Sequence, residues 1–388
     1  MPRRAGIAAH TGEGVNGVTD AERGNHWAGS VCLVLASSTG GVGQHLTSLV
    51  RGLTAGGATV TVAGPAATEE QFHFTAAGAA RFVPVEIPPN PTLNDGRAVG
   101  ALRKVLAGDV DMVHAHGLRA GLVAVLARPR QPLAVTWHNA VLARRLRGYA
   151  SRLAERMVAR NADVCLGASE DLVDRARALG ARDARLAPVA APELPEPRRG
   201  RAAVRAEFGL HRDQAVVLSV GRLHPQKRYD VLVEAAATWR DIRPVPAVLV
   251  AGSGPAYLPL AALISAAHAP ITLLGHRGDV ADLLEAADVA VVTSDWEARQ
   301  LFAQEALRAG VPLVATAVGG LPDLVGDAAL LVPPGNVAAV SEAVRDLLGD
   351  EAKRAEFRAR GFQRAKTWPT EAATVAQLAG IYAEFAPT

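Results

Sequence analysis

The chain has 388 residues, of which 49% are hydrophobic and 20% are charged, and its formal net charge is +3. This composition is typical of a folded globular protein with one large domain or two smaller ones, and it excludes a disordered chain. A net charge this small argues against a dedicated nucleic-acid-binding protein. The two cysteines, Cys32 and Cys165, offer neither a disulfide framework nor a zinc site, and no apolar run is long enough for a transmembrane helix.

The first 29 residues are predicted to form a disordered tail. Their start is basic, but the residues that follow are polar and rich in glycine, unlike the hydrophobic core of a signal peptide. The low cysteine content favours a reducing compartment. The sequence therefore predicts a cytoplasmic protein.

From Val31 onwards, short apolar runs alternate with helical patterns. The runs are apolar on both faces, as buried parallel strands are, and Leu46, Leu49 and Val50 give the intervening segment Gln44–Ala55 a helical apolar stripe. This alternation indicates a doubly wound α/β sheet. The predicted strands of this first series are Val31–Ala36, Thr59–Ala63, Phe82–Ile87, Val110–Ala115, Leu133–Trp137 and Val164–Gly167.

A segment with four prolines, Ala187–Gly200, interrupts this alternation and is interpreted as an interdomain linker. A second α/β series follows it, and a final helix is predicted over Glu371–Phe385. We therefore expect two doubly wound domains, over residues 30–195 and 196–368, with a ligand cleft between them. The predicted strands of the second series are Ala215–Val220, Ala247–Ala251, Ile271–Leu274, Val289–Thr293 and Leu313–Thr316.

A glycine-rich turn, Ser38–Gly43, joins the first predicted strand to the first helix. Glycines let the backbone approach an anion, and the start of a helix supplies free N–H groups. The dinucleotide-binding fingerprint fails, because Leu46 stands where its third glycine belongs, and the P-loop pattern is absent. The turn is either a phosphate-binding loop or simply a tight strand–helix connection.

The second domain begins with a strand that is followed by Gly221, Arg222 and, five residues later, Lys227. Ligands bind at the carboxyl ends of strands in such sheets, and arginine and lysine are the cations that hold phosphate. A solvated basic turn is the alternative. Glycines also follow the next two predicted strands, in Gly252–Pro255 and Gly275–Gly278, which indicates one shared rim.

Two glutamates, Glu297 and Glu305, follow the strand Val289–Thr293. In one continuous helix they would lie roughly 12 Å apart and about 80° around the axis, too far for a close carboxylate pair. If Glu297 lies in the loop and Glu305 in the helix, both can contact one elongated ligand. A carboxylate accepts two hydrogen bonds, which suits vicinal hydroxyls of a sugar or a ribose.

Histidines follow two strands of the first domain, with His114 and His116 after one and His138 after the next. A metal site would need a third ligand at a sensible spacing, and the sequence shows none. One histidine at a strand end can orient a ligand or donate a hydrogen bond to it. His114 and His116 are equally compatible with a structural role.

These features, in this order, resemble the retaining GT-B glycosyltransferases of family 4. The resemblance extends from about Val31 to Phe385 and depends on the joint order of its parts, none of which suffices alone. It implies two Rossmann-like domains, with residues 369–388 forming a helix that packs back on the N-terminal domain. The parts are Gly40-Gly41, His138, Gly221-Arg222 with Lys227, the pair Glu297 and Glu305, and Gly310-Val311-Pro312 with Gly319-Gly320.

By this resemblance the protein is a hexosyltransferase that uses a UDP- or GDP-sugar and needs no metal and no cofactor beyond this co-substrate. The first domain would bind the hydroxyl-bearing acceptor and the second the nucleotide sugar. The implied catalytic residues are His138, Arg222, Lys227 and Glu297. The implied substrate-binding residues are Gly40 and Gly41 for phosphate, Glu305 for the ribose, Gly221, Gly254 and the backbone near Arg277 around the nucleotide, and His116 on the acceptor side.

The sequence departs from the family pattern at three points. Ala298–Leu301 stands where glycines usually follow the first glutamate, which puts the identity of the sugar in doubt. Arg228 replaces a glycine that commonly follows the phosphate-binding lysine, and Asp323 is shorter than the usual acidic residue. None of these changes removes a charged catalytic group.

Three alternatives stay open. A non-catalytic paralogue that binds a sugar nucleotide would keep much of this pattern, and a sugar-nucleotide epimerase would share the fold. Residues 139–160 carry six arginines and one glutamate, with leucines and a methionine at helical spacing. Such a helix either packs on its sheet with a solvated face or makes a peripheral contact with the inner face of the membrane.

Overall fold

The computed structural model describes residues 27–38, 40–90, 95–139 and 145–386. Within these ranges the chain forms two fully parallel β-sheets that are covered by helices. The fold is a two-domain α/β fold of the GT-B type, as the resemblance implied. The proline-rich segment separates the sheets, since the last strand of the first sheet ends at Leu186 and the next helix begins at Arg201.

The first sheet has seven strands in the order β3-β2-β1-β4-β5-β6-β7. Its central strands are rich in valine, leucine and alanine and are buried along nearly their whole length, because helices cover both faces. The strands are β1 (Ser30–Leu35), β2 (Thr59–Gly64), β3 (Arg81–Pro84), β4 (Met112–His116), β5 (Leu133–Trp137), β6 (Val164–Gly167) and β7 (Ala184–Leu186).

The second sheet has six strands in the order β10-β9-β8-β11-β12-β13. In both sheets the strand order reverses beside the first strand of the domain, which opens a crevice at the carboxyl ends of the strands. The strands are β8 (Val216–Val220), β9 (Ala247–Ala251), β10 (Ile271–Gly275), β11 (Val289–Val292), β12 (Leu313–Thr316) and β13 (Ala329–Val332).

Helices connect nearly all successive strands, and none of those in the described residues is both long and apolar enough to cross a bilayer. They are α1 (Gly41–Ala55), α2 (Ala66–Phe72), α3 (Asp95–Leu106), α4 (Leu118–Ala127), α5 (Arg145–Asn161), α6 (Glu170–Leu179), α7 (Arg201–Glu207), α8 (Tyr229–Ala237), α9 (Tyr257–Ala267), α10 (Val280–Ala286), α11 (Leu301–Arg308), α12 (Leu321–Val325), α13 (Val337–Gly349), α14 (Glu351–Ala365) and α15 (Glu371–Phe385).

The last helix, α15, returns to the first domain and packs against α1. A Cβ atom at Gly52 of α1 would lie 2.5 Å from Val375 of α15, so the two helices approach each other closely at this glycine. Leu378 and Ile381 are buried in the first domain's core, and each contributes roughly 1.5–3 kcal/mol by leaving water. This contact attaches the last helix to the first domain.

Trp27 corrects the prediction of a disordered tail at its last residues. Its side chain is buried, its indole N–H donates to the Ala386 carbonyl at 2.7 Å, and its ring meets Tyr382 edge-on. Trp27 to Gly29 are therefore part of the fold, whereas residues 1–26 lie outside the described residues.

The strands predicted from the sequence are found, with small differences at their ends. Two short strands were not predicted: β7 and β13, each at an edge of its sheet. An edge strand has one neighbour and is less buried, so its sequence lacks the long apolar run by which a central strand is recognised. The predicted strand Phe82–Ile87 ends early at Pro84, although Val85 and Ile87 are still buried in the core.

Candidate active site

The loop after β8 carries both predicted phosphate-binding cations. Arg222 is exposed and makes no ion pair with a described residue, whereas Lys227 is half-buried at the end of a short 3₁₀ turn over Pro225–Lys227. The His224 ring caps this turn by accepting from the Gln226 N–H at 3.3 Å. Burial, followed by the charges of Arg222 and Lys227, lowers the pKa of His224, so its ring stays neutral.

Lys227 and Glu297 meet across two loops. Lys227 Nζ donates to Glu297 Oε1 at 2.6 Å, and the Ser294 hydroxyl donates to the same oxygen at 2.5 Å. Glu297 lies in the loop after β11, before α11 begins at Leu301, which agrees with one of the two arrangements that the sequence left open. The carboxylate is thus held in a fixed orientation and keeps its second oxygen for another donor.

Three hydrogen bonds lock these two loops together. Thr293 Oγ1 donates to the Lys227 carbonyl at 2.9 Å, and the Asp295 N–H donates to the Gln226 carbonyl at 2.8 Å. The Gln226 side chain donates to the Trp296 carbonyl at 2.7 Å. The relative position of Lys227 and Glu297 is therefore set by the backbone of both loops, and not by their own ion pair alone.

The glycine pair after β12 fits tightly against the Glu297 loop. Gly319 has a φ of +52°, and a Cβ atom there would lie 2.1 Å from the Glu297 carbonyl oxygen. The Gly320 N–H donates to that same oxygen at 2.8 Å. Only glycine fits at both positions, because a side chain would push the Glu297 loop away.

The glycines after β9 support the Arg222 loop in the same way. Gly252 and Gly254 would place a Cβ atom 1.9 and 2.3 Å from the carbonyl oxygens of Gly221 and Leu223. The Leu223 N–H also donates to the Ser253 carbonyl at 2.9 Å. Gly254 therefore shapes the rim that presents Arg222, and its proposed contact with a nucleotide base stays a prediction.

Arg228 explains one departure from the family pattern. Its φ is +48°, a left-handed conformation that favours glycine, the residue that the family resemblance leads us to expect at this position. For other residues this conformation costs roughly 1–2 kcal/mol. The Arg228 guanidinium offsets this cost by pairing with Asp230 and with Asp295 of the Glu297 loop, at 2.9 and 3.0 Å.

Glu305 lies in the second turn of α11 and is partly buried. None of the described residues donates a hydrogen bond to its carboxylate. Burial raises its pKa, and the nearby Arg308 charge opposes this only in part. A partly buried carboxylate without a donor is suited to accept hydroxyl groups from a ligand.

The Gly40-Gly41 turn faces the second domain across the cleft. Gly40 caps α1 and Gly41 is its first residue, while Thr39 beside them lies outside the described residues. A Cβ atom at Gly41 would lie 3.3 Å from Leu301, the first residue of α11. The free N–H groups of α1 therefore lie beside the loop that holds Glu297.

The two domains also contact each other through Trp296 and Arg299. The Trp296 indole N–H donates to Asp171 of α6 at 2.8 Å, and Arg299 Nε donates to the Val189 carbonyl at 3.1 Å. Trp296 and Ala298 pack in the core of the first domain. The Glu297 loop is thus attached to the first domain as well as to its own sheet.

Three histidines meet at the edge of the first domain. His116 Nδ1 lies 3.1 Å from His138 Nε2, and His45 of α1 stacks edge-on against both rings. The expectation that no third ligand accompanies His116 and His138 is therefore wrong. His45 was not predicted as a third ligand because it lies about 70 residues before His116 in the sequence and within an apolar helical pattern.

All three rings are nearly buried, with exposed fractions of 7% for His45, 2% for His116 and 8% for His138. Burial lowers the pKa of His45 to about 4. It also takes the pKa of His116 and His138 well below the usual range, with the neighbouring histidines adding to the effect. The cluster is therefore neutral at physiological pH.

His114 and Arg277 have structural partners. His114 Nδ1 lies 2.5 Å from the Tyr382 hydroxyl of α15 and Nε2 lies 2.6 Å from Thr136 Oγ1, so both ring nitrogens are satisfied. The Arg277 guanidinium pairs with Glu207 and Asp279. The Arg277 guanidinium is thus engaged by acidic side chains, and the expected contact of the backbone near Arg277 with a nucleotide stays a prediction.

Comparison with known families gives two adjoining matches. Residues 40–192 match the model of a glycosyl transferase 4-like domain, and residues 200–364 match the model of glycosyl transferases group 1. The segment between the two matches is part of the proline-rich linker.

Curated relatives include D-inositol 3-phosphate glycosyltransferases. The chain is 31% identical to the D-inositol 3-phosphate glycosyltransferase of Corynebacterium glutamicum, over 70% of this chain and 72% of that protein. It is 36% identical to the enzyme of the same name from Mycobacterium leprae, over 66% of each chain. The matched region thus spans about two thirds of the length of these relatives.

Solved structures share the fold. HepE from Anabaena, crystallised with UDP, has a TM-score of 0.76 at 19% identity and covers 92% of this chain and all of its own. Sucrose-phosphate synthase from Thermosynechococcus elongatus has a TM-score of 0.75 at 21% identity, with 92% and 98% coverage. At these identities the likeness concerns the fold alone. The family matches and the relatives together establish that this chain belongs to the group 1 glycosyltransferases, family 4, of the GT-B fold.

Proposed function

We propose that the protein transfers a hexosyl group from a UDP- or GDP-sugar to an acceptor hydroxyl, with retention of configuration, in the cytoplasm. The observation that carries this proposal is the Lys227–Glu297 pair, 2.6 Å apart. The loop of Lys227 also carries Arg222, which has no ion-pair partner among the described residues, and Gly41 at the start of α1 lies close to Leu301, just after the loop of Glu297. This arrangement offers two cations and free helix N–H groups to a diphosphate, and a carboxylate to the adjoining sugar.

The cations would stabilise the leaving diphosphate. Arg222 offers a planar fork to its oxygens, and Lys227 retains two further N–H donors while it contacts Glu297. Negative charge grows on the diphosphate as its bond to the sugar breaks, and preorganised cations stabilise that charge most in the transition state. The two side chains supply the positive charge that a divalent metal supplies elsewhere, so we expect no metal at the diphosphate.

Glu297 would accept hydrogen bonds from hydroxyls of the transferred sugar, while His138 faces the sugar and the acceptor. The acceptor oxygen then attacks the anomeric carbon on the face that the diphosphate leaves. The carbon–oxygen bond to the diphosphate breaks, the new carbon–oxygen bond forms, and the acceptor proton passes to a diphosphate oxygen. Glu297 is paired with Lys227 and Ser294, which leaves it poorly placed as a covalent nucleophile.

The names of the relatives support an acceptor class for this chain. The curated relatives are named for D-inositol 3-phosphate, and we propose a small polar acceptor, phosphorylated or lipid-linked, for this chain. The test is transfer and hydrolysis with a panel of UDP-, GDP- and ADP-sugars. Turnover of at least one donor without Mg²⁺ supports the proposal. Nucleotide binding without turnover of any donor favours a non-catalytic paralogue, and a strict requirement for Mg²⁺ contradicts metal independence.

Glu305 gives a pH-dependent prediction. We expect the affinity for a nucleoside diphosphate to fall as the pH drops, because the protonated carboxyl accepts hydrogen bonds from the ribose less well than the carboxylate. The loss should begin above the usual range of glutamate, since burial raises the pKa of Glu305. Glu305→Gln should raise Kd roughly tenfold, equivalent to one hydrogen bond to a charged group.

Calorimetric titration of both proteins across the acidic range provides the measurement. The difference between them isolates Glu305 from the titration of the nucleotide phosphates themselves. A variant whose affinity has the same pH dependence as the wild type contradicts the ribose role of Glu305.

A peripheral membrane contact is a second proposal, based on helix α5. Leu153 and Met157 are 56% and 36% exposed and adjacent on one face, and Arg152, Arg156 and Arg160 flank them. Residues 140–144, which belong to the predicted basic segment 139–160, lie outside the described residues. An exposed apolar pair among arginines is suited to anionic bilayers.

We expect the protein to co-sediment with vesicles that contain anionic lipid at low salt and less at moderate salt. Replacing Leu153 and Met157 together with glutamate should abolish pelleting. Absence of the wild type from the vesicle pellet at low salt contradicts the proposal.

A further inference from the structure

The cluster of His45, His116 and His138 contains two more histidines than the proposed transfer reaction uses. That reaction uses His138 alone, as a contact to the sugar and acceptor. The cluster brings one potential metal ligand atom from each imidazole within 4.8 Å of the other two. The three residues come from separate elements, α1, the end of β4 and the segment after β5, so the sheet and helix together hold them in place.

The distances are close to those of a metal site. Two imidazole nitrogens bound to tetrahedral zinc at about 2.0–2.1 Å lie about 3.3 Å from each other. His116 Nδ1 and His138 Nε2 are 3.1 Å apart. The third nitrogen needs to move by at most about 1.5 Å to complete the triangle, which a rotation of the His45 ring can supply.

The hydrogen bonding of the cluster is incomplete. His116 Nε2 is buried and has no hydrogen-bond partner among the described residues. Because Nε2 lies on the far side of the ring from His138, a proton on Nε2 leaves the Nδ1 lone pair of the neutral ring available to a metal ion.

The chemistry of the donors selects the class of metal. Neutral imidazoles suit zinc and other late transition metals, whereas Mg²⁺ and Ca²⁺ prefer oxygen ligands. The rings are neutral because burial lowers their pKa, so binding an ion would release few protons. Three protein ligands leave one position of a tetrahedron open, as in catalytic zinc sites.

We propose that His45, His116 and His138 form a binding site for a zinc-class transition-metal ion at the acceptor side of the cleft. With no carboxylate among the three ligands, the ion keeps its full charge and favours an anionic oxygen as its fourth ligand. This site is separate from the diphosphate site of Arg222 and Lys227, and it goes beyond the proposed transfer reaction.

Binding of Co²⁺ alone to the chelator-treated full-length chain tests the proposal. We expect one equivalent of Co²⁺ to bind with the visible absorption of a tetrahedral complex, and Zn²⁺ to displace it. His45→Gln and His138→Gln should each weaken binding by more than the roughly 10–100-fold that loss of a supporting partner costs. His211→Gln, at an exposed position, is the matched control and should bind as the wild type does.

Circular dichroism and thermal melting show whether each of the two ligand variants is folded. With two variants, the test still applies if one of them fails to fold. Binding of Co²⁺ by the wild type and control, with weak binding by a folded ligand variant, supports the site. No stoichiometric binding by the wild type, or equal binding by folded ligand variants, overturns it. In that case the three rings are a neutral hydrogen-bonded cluster.

Discussion

Lys227→Ala should lower the turnover number by about 100- to 1000-fold while the protein stays folded, in line with the loss of one preorganised group that stabilises transition-state charge. Lys227 is partly exposed and belongs to a loop that other contacts hold, so the substitution removes a charge without opening a cavity in the core. Turnover is measured with whichever donor sugar the panel identifies.

The physical reason for this large effect is the position of the ammonium group. Lys227 is one of only four lysines in a chain that otherwise uses arginine, and its ammonium group contacts the Glu297 carboxylate and is mostly buried. A compact charge can contact the carboxylate and a phosphate oxygen at once, which the broader guanidinium does less easily. Arg222 remains in the variant, so nucleotide binding should weaken less than turnover.

Lys366→Ala is the matched control, because Lys366 is exposed at the end of α14 and makes no ion pair with a described residue. It should keep normal turnover. Near-normal turnover of a folded Lys227→Ala variant contradicts the phosphate role of Lys227. A thermal melt without ligand confirms that the two variants are equally folded.

The core of the fold follows from local sequence patterns, and its edges do not. Central strands such as Leu133–Trp137 are predicted to the residue, because burial on both faces demands a continuous apolar run. The edge strand Ala184–Leu186 has three partly exposed residues and no such run. Trp27 was missed for a related reason, since its partners, Tyr382 and Ala386, lie at the other end of the chain.

In the site, too, individual residues follow from local sequence patterns, whereas the contacts between them do not. Lys227 and Glu297 could be predicted individually because each follows a strand of a doubly wound sheet, where ligands bind. Their direct contact, and the role of Ser294 in orienting Glu297, depends on how two loops 70 residues apart pack. The left-handed backbone of Arg228 could not be predicted from its own residue type. The sequence showed only that an arginine stands where the family resemblance implies a glycine.

Long-range assembly also explains the histidine cluster. His116 and His138 follow adjacent strands, so their approach follows from the sheet, but the position of His45 depends on how α1 packs over that sheet. The sequence around a histidine in an apolar helix does not indicate which side chains of other elements it will contact. A search for metal ligands by sequence spacing therefore finds two of these three residues.

Glu297→Gln should reduce sugar transfer strongly while leaving the binding of a nucleoside diphosphate unchanged or slightly tighter. One hydrogen bond from a sugar hydroxyl to a charged acceptor contributes roughly 1.5–3 kcal/mol, or about 10- to 150-fold in kcat/KM. The glutamine side chain has the same shape, so Ser294 and the flanking loop contacts should persist.

The direction of the effect on nucleotide binding follows from the ion pair. Glu297 draws the Lys227 ammonium towards itself at 2.6 Å, and removal of its charge frees Lys227 to serve the diphosphate fully. If Glu297 contacts only the sugar part of the donor, its substitution cannot weaken the binding of a nucleoside diphosphate, which lacks the sugar. The assignment therefore predicts a loss of transfer without a loss of diphosphate binding, which a merely structural role for Glu297 would not produce.

Steady-state kinetics with the donor sugar and calorimetry with the nucleoside diphosphate provide the two measurements. Glu342→Gln, on the exposed face of α13, is the matched control and should leave both unchanged. Equal losses in transfer and in diphosphate binding by Glu297→Gln would show that the carboxylate supports the loop as a whole. A selective loss of transfer instead identifies the sugar as its partner, because the sugar is the only part of the donor that the diphosphate lacks.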